Sequence, residues 1–333
     1  MANDAHRPGR RFPRPWQGIA ALVALLAAAG AVLASRGGDE GQRLYANDSP
    51  FNTPIGDGSV DPRSDRMIDQ LTAEVKANGW PIATAEFTNA IYYADSETPR
   101  YDVPLTKYDS RRFAGVPIPD SVRVPEDTDG GVVVIDRSTN CEYDLDEPAR
   151  VGSNRWTAEF GNALSTDGSG VYPFAMAPSA SGFASAAGMI LPAELRQGRI
   201  DHALAFTMEN VKTGGPVAPA TGNDGRSDAP GAIPEGARLR LDPELDLDSL
   251  GLAPWQKTIA RALQEYGMYL VDTGGAVAIR VQHSVSTSYT YPWGDVPYGQ
   301  MPPELAERLQ VLMLPPQREP EYRFVQNDCA RLR

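Results

Sequence analysis

The sequence contains few of the residues that build metal centres or bind nucleic acid. Its 333 residues include three histidines and two cysteines, too few for a His-rich metal site or a structural zinc site. Acidic side chains outnumber basic ones, 43 to 31, for a formal net charge of −12. Phosphate contacts need clustered Lys and Arg, so this balance argues against a nucleic-acid partner. The chain also lacks a phosphate-binding glycine loop, a nucleophile elbow and a His/Glu zinc motif, and we expect neither a cofactor nor a metal.

One long apolar run is present, and it follows an arginine-rich head. Trp16–Ala34 is uncharged and about 19 residues long, close to the roughly 20 that span a bilayer. This pattern is typical of a signal peptide or an N-terminal anchor helix. Val32 and Ala34 fit the −3 and −1 positions for cleavage before Ser35, so cleavage and anchoring both stay open. We predict a signal or anchor helix in residues 1–35, a linker in 36–48 and an exported domain in 49–333, outside the cytoplasm.

The exported part is more acidic than the whole chain. Five basic residues and one acidic residue lie in residues 1–36, which leaves 26 basic and 42 acidic residues and a net charge of −16. Such a domain repels anionic polymers and membrane surfaces. Neutral glycans, cations or basic partners fit it better, and we expect membrane contact only through the N-terminal helix. Cys141 and Cys329 both lie in this part, where an oxidising compartment favours one disulfide between them.

The exported chain is predicted to be mostly β. Short segments rich in β-formers alternate with turn residues, for example Gly131–Arg137, Cys141–Leu145 and Arg199–Thr207. Helical periodicity is confined to stretches near residues 61–79, 254–267 and 303–313. No internal repeat or strong linker divides the chain. We therefore predict one β-sandwich or jelly-roll-like domain with a few peripheral helices.

Polar residues alternate with apolar ones on several predicted strands. In Val277–Val285 the polar face carries Arg280 and Gln282, and in Arg155–Gly161 Glu159 lies opposite Trp156. If these strands share a sheet, its open face has the hydrogen-bonding groups and an aromatic platform that a glycan groove needs. A solvated polar face on an acidic protein explains the alternation equally.

The segment Glu142-Tyr-Asp144-Leu-Asp146-Glu147 resembles the catalytic strand of laminarinase-like β-glucanases, which are also jelly rolls. That resemblance implies Glu142 as nucleophile, Asp144 as its tuning partner and Glu147 as acid/base. Retaining chemistry needs two carboxyl groups roughly 5 Å apart, and a bulge can bring the last acid back onto the face of the first. Pro148 follows Glu147 directly, which suggests that the strand ends there.

His202 and three Asp-rich turns offer further candidates. His202 shares a face with Ile200, Leu204 and Phe206, typical of a core histidine; the functional alternative is a general base for elimination on a uronate polymer. In that alternative Arg280 or Gln282 neutralises the substrate carboxylate. The turns could bind calcium but lack the 12-residue calcium loop, so turn chemistry explains them better. They are Asp127–Gly130, Asn223–Gly225 and Asp242–Asp248.

A string of motifs resembles a family of uncharacterised exported bacterial β-rich proteins. The resemblance implies an extracellular β-rich domain, and it offers His202, Asn223, Asp224 and Asp272 as site residues whose segments converge. Its motifs span most of the exported chain: Ser49-Pro-Phe-Asn52, Gly198-Arg-Ile-Asp-His202-Ala-Leu-Ala-Phe206, Pro219-Ala-Thr-Gly-Asn-Asp224-Gly225, Ile233-Pro-Glu-Gly-Ala-Arg238 and Tyr266-Gly-Met-Tyr-Leu-Val-Asp272-Thr-Gly-Gly275.

Two functions of different classes remain. The first is an enzyme that cleaves an extracellular or envelope polysaccharide by paired carboxylates or by elimination. The second is a non-catalytic surface protein that binds such a glycan or has a structural role. The candidate catalytic residues are Glu142, Asp144, Glu147, His202 and Asp272, and the candidate substrate-binding residues are Trp156, Glu159, Asn223, Asp224, Arg280 and Gln282.

Overall fold

A computed structural model describes residues 43–107, 111–126 and 130–333. The predicted signal or anchor helix, most of the linker and Asp127 and Asp129 lie outside these residues. Among the residues that are described, no helix is long and apolar enough to cross a bilayer.

Strands outnumber helices in the described residues, which confirms a mostly β chain with few helices. The α-helices are α1 (Ser64–Asn78), α2 (Pro192–Gln197) and α3 (Pro254–Glu265), and 3-10 helices cover Leu247–Leu250, Ser284–Ser286 and Pro303–Arg308. The strands are β1 (Trp80–Ala83), β2 (Ala90–Ala94), β3 (Arg100–Pro104), β4 (Arg112–Pro117), β5 (Val132–Asp136), β6 (Cys141–Asp146), β7 (Ala149–Arg150), β8 (Trp156–Thr157), β9 (Phe160–Ser165), β10 (Leu204–Met208), β11 (Arg238–Leu241), β12 (Met268–Thr273), β13 (Ala278–Arg280), β14 (Tyr298–Met301) and β15 (Leu309–Val311).

The larger sheet has seven strands in the order β14–β1–β13–β10–β12–β11–β15. Helices α1 and α3 cover its outer face, because their apolar stripes pack on alternate residues of β10 and β12 such as Leu204, Phe206 and Leu270. β1 pairs with β13 in parallel, and β10 pairs with β12 in parallel. A jelly roll is antiparallel, so the pairing departs from that pattern.

The smaller sheet has the order β2–β5–β6–β9, with β2 and β5 parallel and the other pairs antiparallel. Its outer face packs against the β3–β4 hairpin and the C-terminal tail. The tail is held by a disulfide between Cys141 and Cys329, which confirms the pairing predicted from the sequence.

An irregular layer, which we call the middle layer, lies between the inner faces of the two sheets. Phe183 and Ala187 pack on inner-face residues of β10 and β12, while Met189 packs on inner-face residues of β2 and β5. Gly188 permits the layer to approach strand β10 closely. It has φ +75°, and a Cβ there would lie 2.6 Å from the backbone nitrogen of Ala205. The layer covers inner-face groups of β6 that the alternation in the sequence had placed on an open face.

A β-bulge in β12 directs its end toward this inner side. Phe206 of β10 pairs with Leu270, whereas the next residue, Thr207, pairs with Asp272, so Val271 is the extra residue. Phe206 and Leu270 face the outer helices. Without the bulge Asp272 would point to that side as well, since side chains alternate along a strand; with it, Asp272 shares the inner face with Thr207.

Candidate functional site

Two adjoining cavities open between the ends of the two sheets. Their volumes are about 340 and 300 Å³, and both are lined by Asp146 from the smaller sheet, by Asp272 from the larger sheet and by Pro178 from the middle layer. We call the pair the acidic cleft. Its further charged and polar lining residues are Asn89, Lys107, Glu147, Glu159, Ser179, Ser185, Asn223, Asp224, Thr273, Arg280 and Tyr322.

Three carboxyl groups meet at this cleft. Asp224, Glu235 and Asp272 each offer an oxygen atom, and these atoms all lie within 4.8 Å of one another. Asp224 is exposed, Asp272 is half-buried and Glu235 has no exposed surface. We call these three residues the acidic cluster, with Glu235 beneath and Asp224 toward solvent.

One backbone and one side-chain hydrogen bond bring the cluster together from three segments. Gly236 donates its N–H to the Leu270 carbonyl at 3.0 Å, which places Glu235 beside β12. The Thr273 hydroxyl donates to Asp224 Oδ1 at 2.5 Å and ties the Asn223–Gly225 turn to the end of the same strand. The bulge in β12 turns Asp272 toward both.

The electrostatics of the cluster are unbalanced. Neither carboxyl oxygen of Glu235 has a hydrogen-bond partner of normal geometry among the described residues. Burial, with the nearby charges of Asp272 and Asp224, raises the pKa of Glu235 well above its usual range. Arg280 Nη2 lies 3.2 Å from Asp272 Oδ2 and supplies one compensating charge.

The rest of the cleft combines polar side chains, apolar residues such as Met176 and Pro178, and one exposed aromatic ring. Lys107 forms an ion pair with Glu159. The Tyr322 hydroxyl donates to the Asn223 carbonyl at 3.3 Å, and the residue is 62% exposed. Glu147 lines the cleft just beyond the end of β6.

Six residues singled out from the sequence therefore converge on one cleft: Glu147, Glu159, Asn223, Asp224, Asp272 and Arg280. Arg280 follows the predicted alternation, although the strand β13 is shorter than the predicted Val277–Val285. Asp224 belongs to a turn that the sequence explains better by turn chemistry than by calcium binding, although the motif resemblance also offers Asp224 as a site residue.

Glu142 and Asp144 do not lie on an open face, contrary to the groove expected from the alternation of β6. Both have no exposed surface, because the middle layer covers them. Glu142 accepts hydrogen bonds from the Tyr45 hydroxyl at 2.5 Å and the Ala186 N–H at 2.9 Å. Asp144 Oδ2 accepts from the Tyr172 hydroxyl at 2.8 Å and from the Ser185 N–H at 3.1 Å. A polysaccharide in the cleft cannot touch either carboxyl group in this arrangement.

Three other sequence candidates also lie in the interior. His202 is held between the Glu194 carboxylate, 2.9 Å from Nε2, and the Ala203 carbonyl, 2.9 Å from Nδ1, the role of a core histidine. Gln282 donates to the Ile91 carbonyl at 3.3 Å and so links the two sheets. Trp156 is 4% exposed and packs in the outer core of the smaller sheet, so it offers no glycan platform there.

Glu235 is the functional candidate that sequence reasoning missed. It belongs to the motif Ile233-Pro-Glu-Gly, to which the sequence alone assigns no role. A signal was present, because Glu235 is the one charged residue in Ala232–Ala237, and a lone charge in an apolar stretch is costly to bury without a purpose. Asp146, Lys107 and Tyr322 were missed as well, because their segments meet only in the folded chain.

The donor set of the cluster is made of carboxylate oxygens alone. Such donors suit hard cations such as Ca²⁺ rather than zinc or copper. The turn at Asp242–Asp248 is different: Asp242 accepts from the Glu244 N–H and pairs with Arg308, and Asp246 caps the following 3-10 helix, so its acids have structural partners.

The chain matches no protein-family model, no curated protein and no solved structure.

Proposed function

We propose that the exported domain binds an extracellular or envelope polysaccharide in the acidic cleft, which its sandwich-like pair of sheets frames. The observation that carries this proposal is the lining: carboxylates, an amide, Arg280 and Lys107 gathered around cavities of about 340 and 300 Å³. Sugar hydroxyls need paired donors and acceptors, and pockets of a few hundred Å³ are the usual size for small-ligand sites. The exposed ring of Tyr322 offers a stacking surface for a sugar.

Cleavage of the bound glycan is the second candidate, and the spacing within the acidic cluster favours it. One oxygen from each of its three carboxyl groups lies within 4.8 Å of the other two, an upper limit that is compatible with the close, roughly 5 Å spacing of the two carboxyl groups in retaining glycosidases. The raised pKa of Glu235 favours a proton on this buried carboxyl group, the exposed Asp224 beside it is the carboxyl group that a bound sugar can reach, and Arg280 pairs with Asp272. This arrangement replaces the Glu142–Glu147 pair suggested by the β-glucanase resemblance.

The test is binding and reducing-end release by the full-length protein on a panel of neutral and acidic polysaccharides. We expect one or more glycans to bind, and Asp272→Asn to weaken that binding at least tenfold, because Asp272 lines both cavities. Glu97→Gln is the matched control, since Glu97 is an exposed carboxylate in the turn between β2 and β3 and lines neither cavity.

Each outcome has a distinct meaning. Release of reducing ends that is lost in Asp272→Asn makes the protein a hydrolase, and binding without release makes it a binding protein. If no polysaccharide binds, or if Asp272→Asn binds as tightly as the unaltered protein, the cleft is not a glycan site.

A further inference from the structure

The acidic cluster gathers three carboxyl groups in a small, partly buried space. Asp224, Glu235 and Asp272 each offer an oxygen atom to it, and the Arg280 guanidinium pairs with Asp272. Like charges at this spacing repel strongly in a partly buried site. Folding would select against such a cluster unless it had a bound partner or retained protons.

Glu235 gives an independent reason to expect a ligand. The residue has 0% exposure, and within the part of the chain that the structure describes neither of its buried carboxyl oxygens has a hydrogen-bond partner of normal geometry. Nearly all buried polar atoms in folded proteins are partnered, so two orphaned oxygens on one carboxyl group call for an explanation. One oxygen of Glu235 belongs to the group of oxygen atoms formed with Asp224 and Asp272.

The geometry fits a cation bound to oxygen. Ca²⁺ holds its oxygen ligands at about 2.3–2.6 Å, so two ligands on opposite sides of the ion lie about 4.6–5.2 Å apart and neighbours lie closer. The three carboxyl oxygens, all within 4.8 Å of one another, can therefore share one ion. The Asn223 side-chain oxygen, buried and unpartnered beside Asp224, is a further donor of the same kind.

We propose that Asp224, Glu235 and Asp272 bind one divalent cation of the calcium class at the wall of the acidic cleft. Three protein carboxylates do not fill the 6–8 oxygen positions of such an ion, and the exposed side of Asp224 faces the cavity. The remaining positions are thus open to the hydroxyl or carboxylate oxygens of a glycan. The contact between the ion and a glycan rests on the proposed function, whereas the cation site itself does not.

A bound cation would also allow an acidic cleft to bind an acidic sugar. A net charge of −16 beyond residue 36 repels a uronate polymer, but an ion bridging cluster and sugar carboxylate removes that repulsion locally. The substrate class to which the site points is a glycan with vicinal hydroxyls or uronate groups.

The test is calorimetric titration of CaCl₂ into EDTA-treated, dialysed full-length protein in the absence of any glycan. We expect one ion per chain and an affinity that rises between pH 5 and pH 8, because ion and protons compete for the same oxygens. Glu235→Gln and Asp224→Asn should each lower the affinity at least tenfold, and Glu97→Gln should leave it unchanged. Asp224 is exposed, so its variant is informative even if Glu235→Gln folds poorly.

Two results would overturn the cation site: no binding of Ca²⁺ at millimolar concentration, or binding that survives both substitutions unweakened. Glycan binding is then measured with and without Ca²⁺. Ca²⁺ binding without glycan binding supports the cation site and removes the proposed function. Glycan binding that is unaffected by EDTA keeps the function but separates it from the cation.

Discussion

Glu142 and Asp144 form a buried carboxyl pair at alternate positions of β6. Burial raises the pKa of Asp144 to about 6, although hydrogen bonds from Tyr172 and Ser185 oppose this. Burial and the charge of Asp144 raise the pKa of Glu142 well above its usual range. Two carboxyl groups in contact retain a proton between them because both cannot ionise cheaply.

The pair predicts a stability that falls as the pH rises. A carboxyl group with a raised pKa in the folded state stabilises it fully below the unfolded pKa of about 3.9, and that contribution is lost as pH rises through about 6. Asp144→Asn removes one charge while keeping an oxygen that can accept from Tyr172 and Ser185. We expect the difference in melting temperature between the variant and the unaltered protein to shift in favour of the variant by a few degrees as the pH rises from 4.5 to 7.5. A constant difference across that range would contradict the raised pKa.

At the scale of elements, helix α1 is the part that the sequence predicted best. Its stripe Met67, Ile68, Leu71 and Val75 packs into the core as expected, and Gly79 with φ +78° ends it. Local periodicity suffices here, because one helix face meets one sheet face.

The same stripe gives an element-scale prediction. Leu71 has 0% exposure beneath the larger sheet, so Leu71→Ala should lower the free energy of unfolding by about 2–5 kcal/mol through lost burial and a cavity. Denaturant titration measures it. Asp69→Ala on the exposed side of the same helix is the control and should change stability by less than about 0.5 kcal/mol.

Other elements were beyond prediction because their form depends on distant partners. The alternation in β6 correctly separated Glu142 and Asp144 from Cys141 and Tyr143, but it could not tell that a Ser-, Gly- and Ala-rich segment would cover the acidic face. The bulge at Val271 leaves no local signal, yet it decides where Asp272 points. The acidic cluster joins three segments through hydrogen bonds between distant residues, which no local sequence pattern predicts.

At the scale of the molecule, the disulfide between Cys141 and Cys329 joins residues separated by 188 positions. Closing so long a loop restricts the unfolded chain, and we expect reduction to lower the free energy of unfolding by about 2–5 kcal/mol. The sequence holds no other cysteine, so a reductant acts on this bond alone. Thermal unfolding with and without dithiothreitol measures the effect, and the Cys141→Ser/Cys329→Ser variant should match the reduced protein. Equal melting temperatures would show that the bond contributes nothing to stability.

Strand β6 also gathers the two ends of the described chain. Tyr45 bonds to Glu142, and Cys329 bonds covalently to the adjacent Cys141. Under tension applied between residues 43 and 333, the segment before Cys141 is held only by non-covalent contacts such as the Tyr45–Glu142 hydrogen bond, while the covalent bond between Cys141 and Cys329 carries the force past the loop between them. The acidic cluster, at residues 224, 235 and 272, lies entirely within that loop. A mechanical load on the protein would therefore peel away its leading segment while the covalent bond shields the loop that holds the cluster from extension.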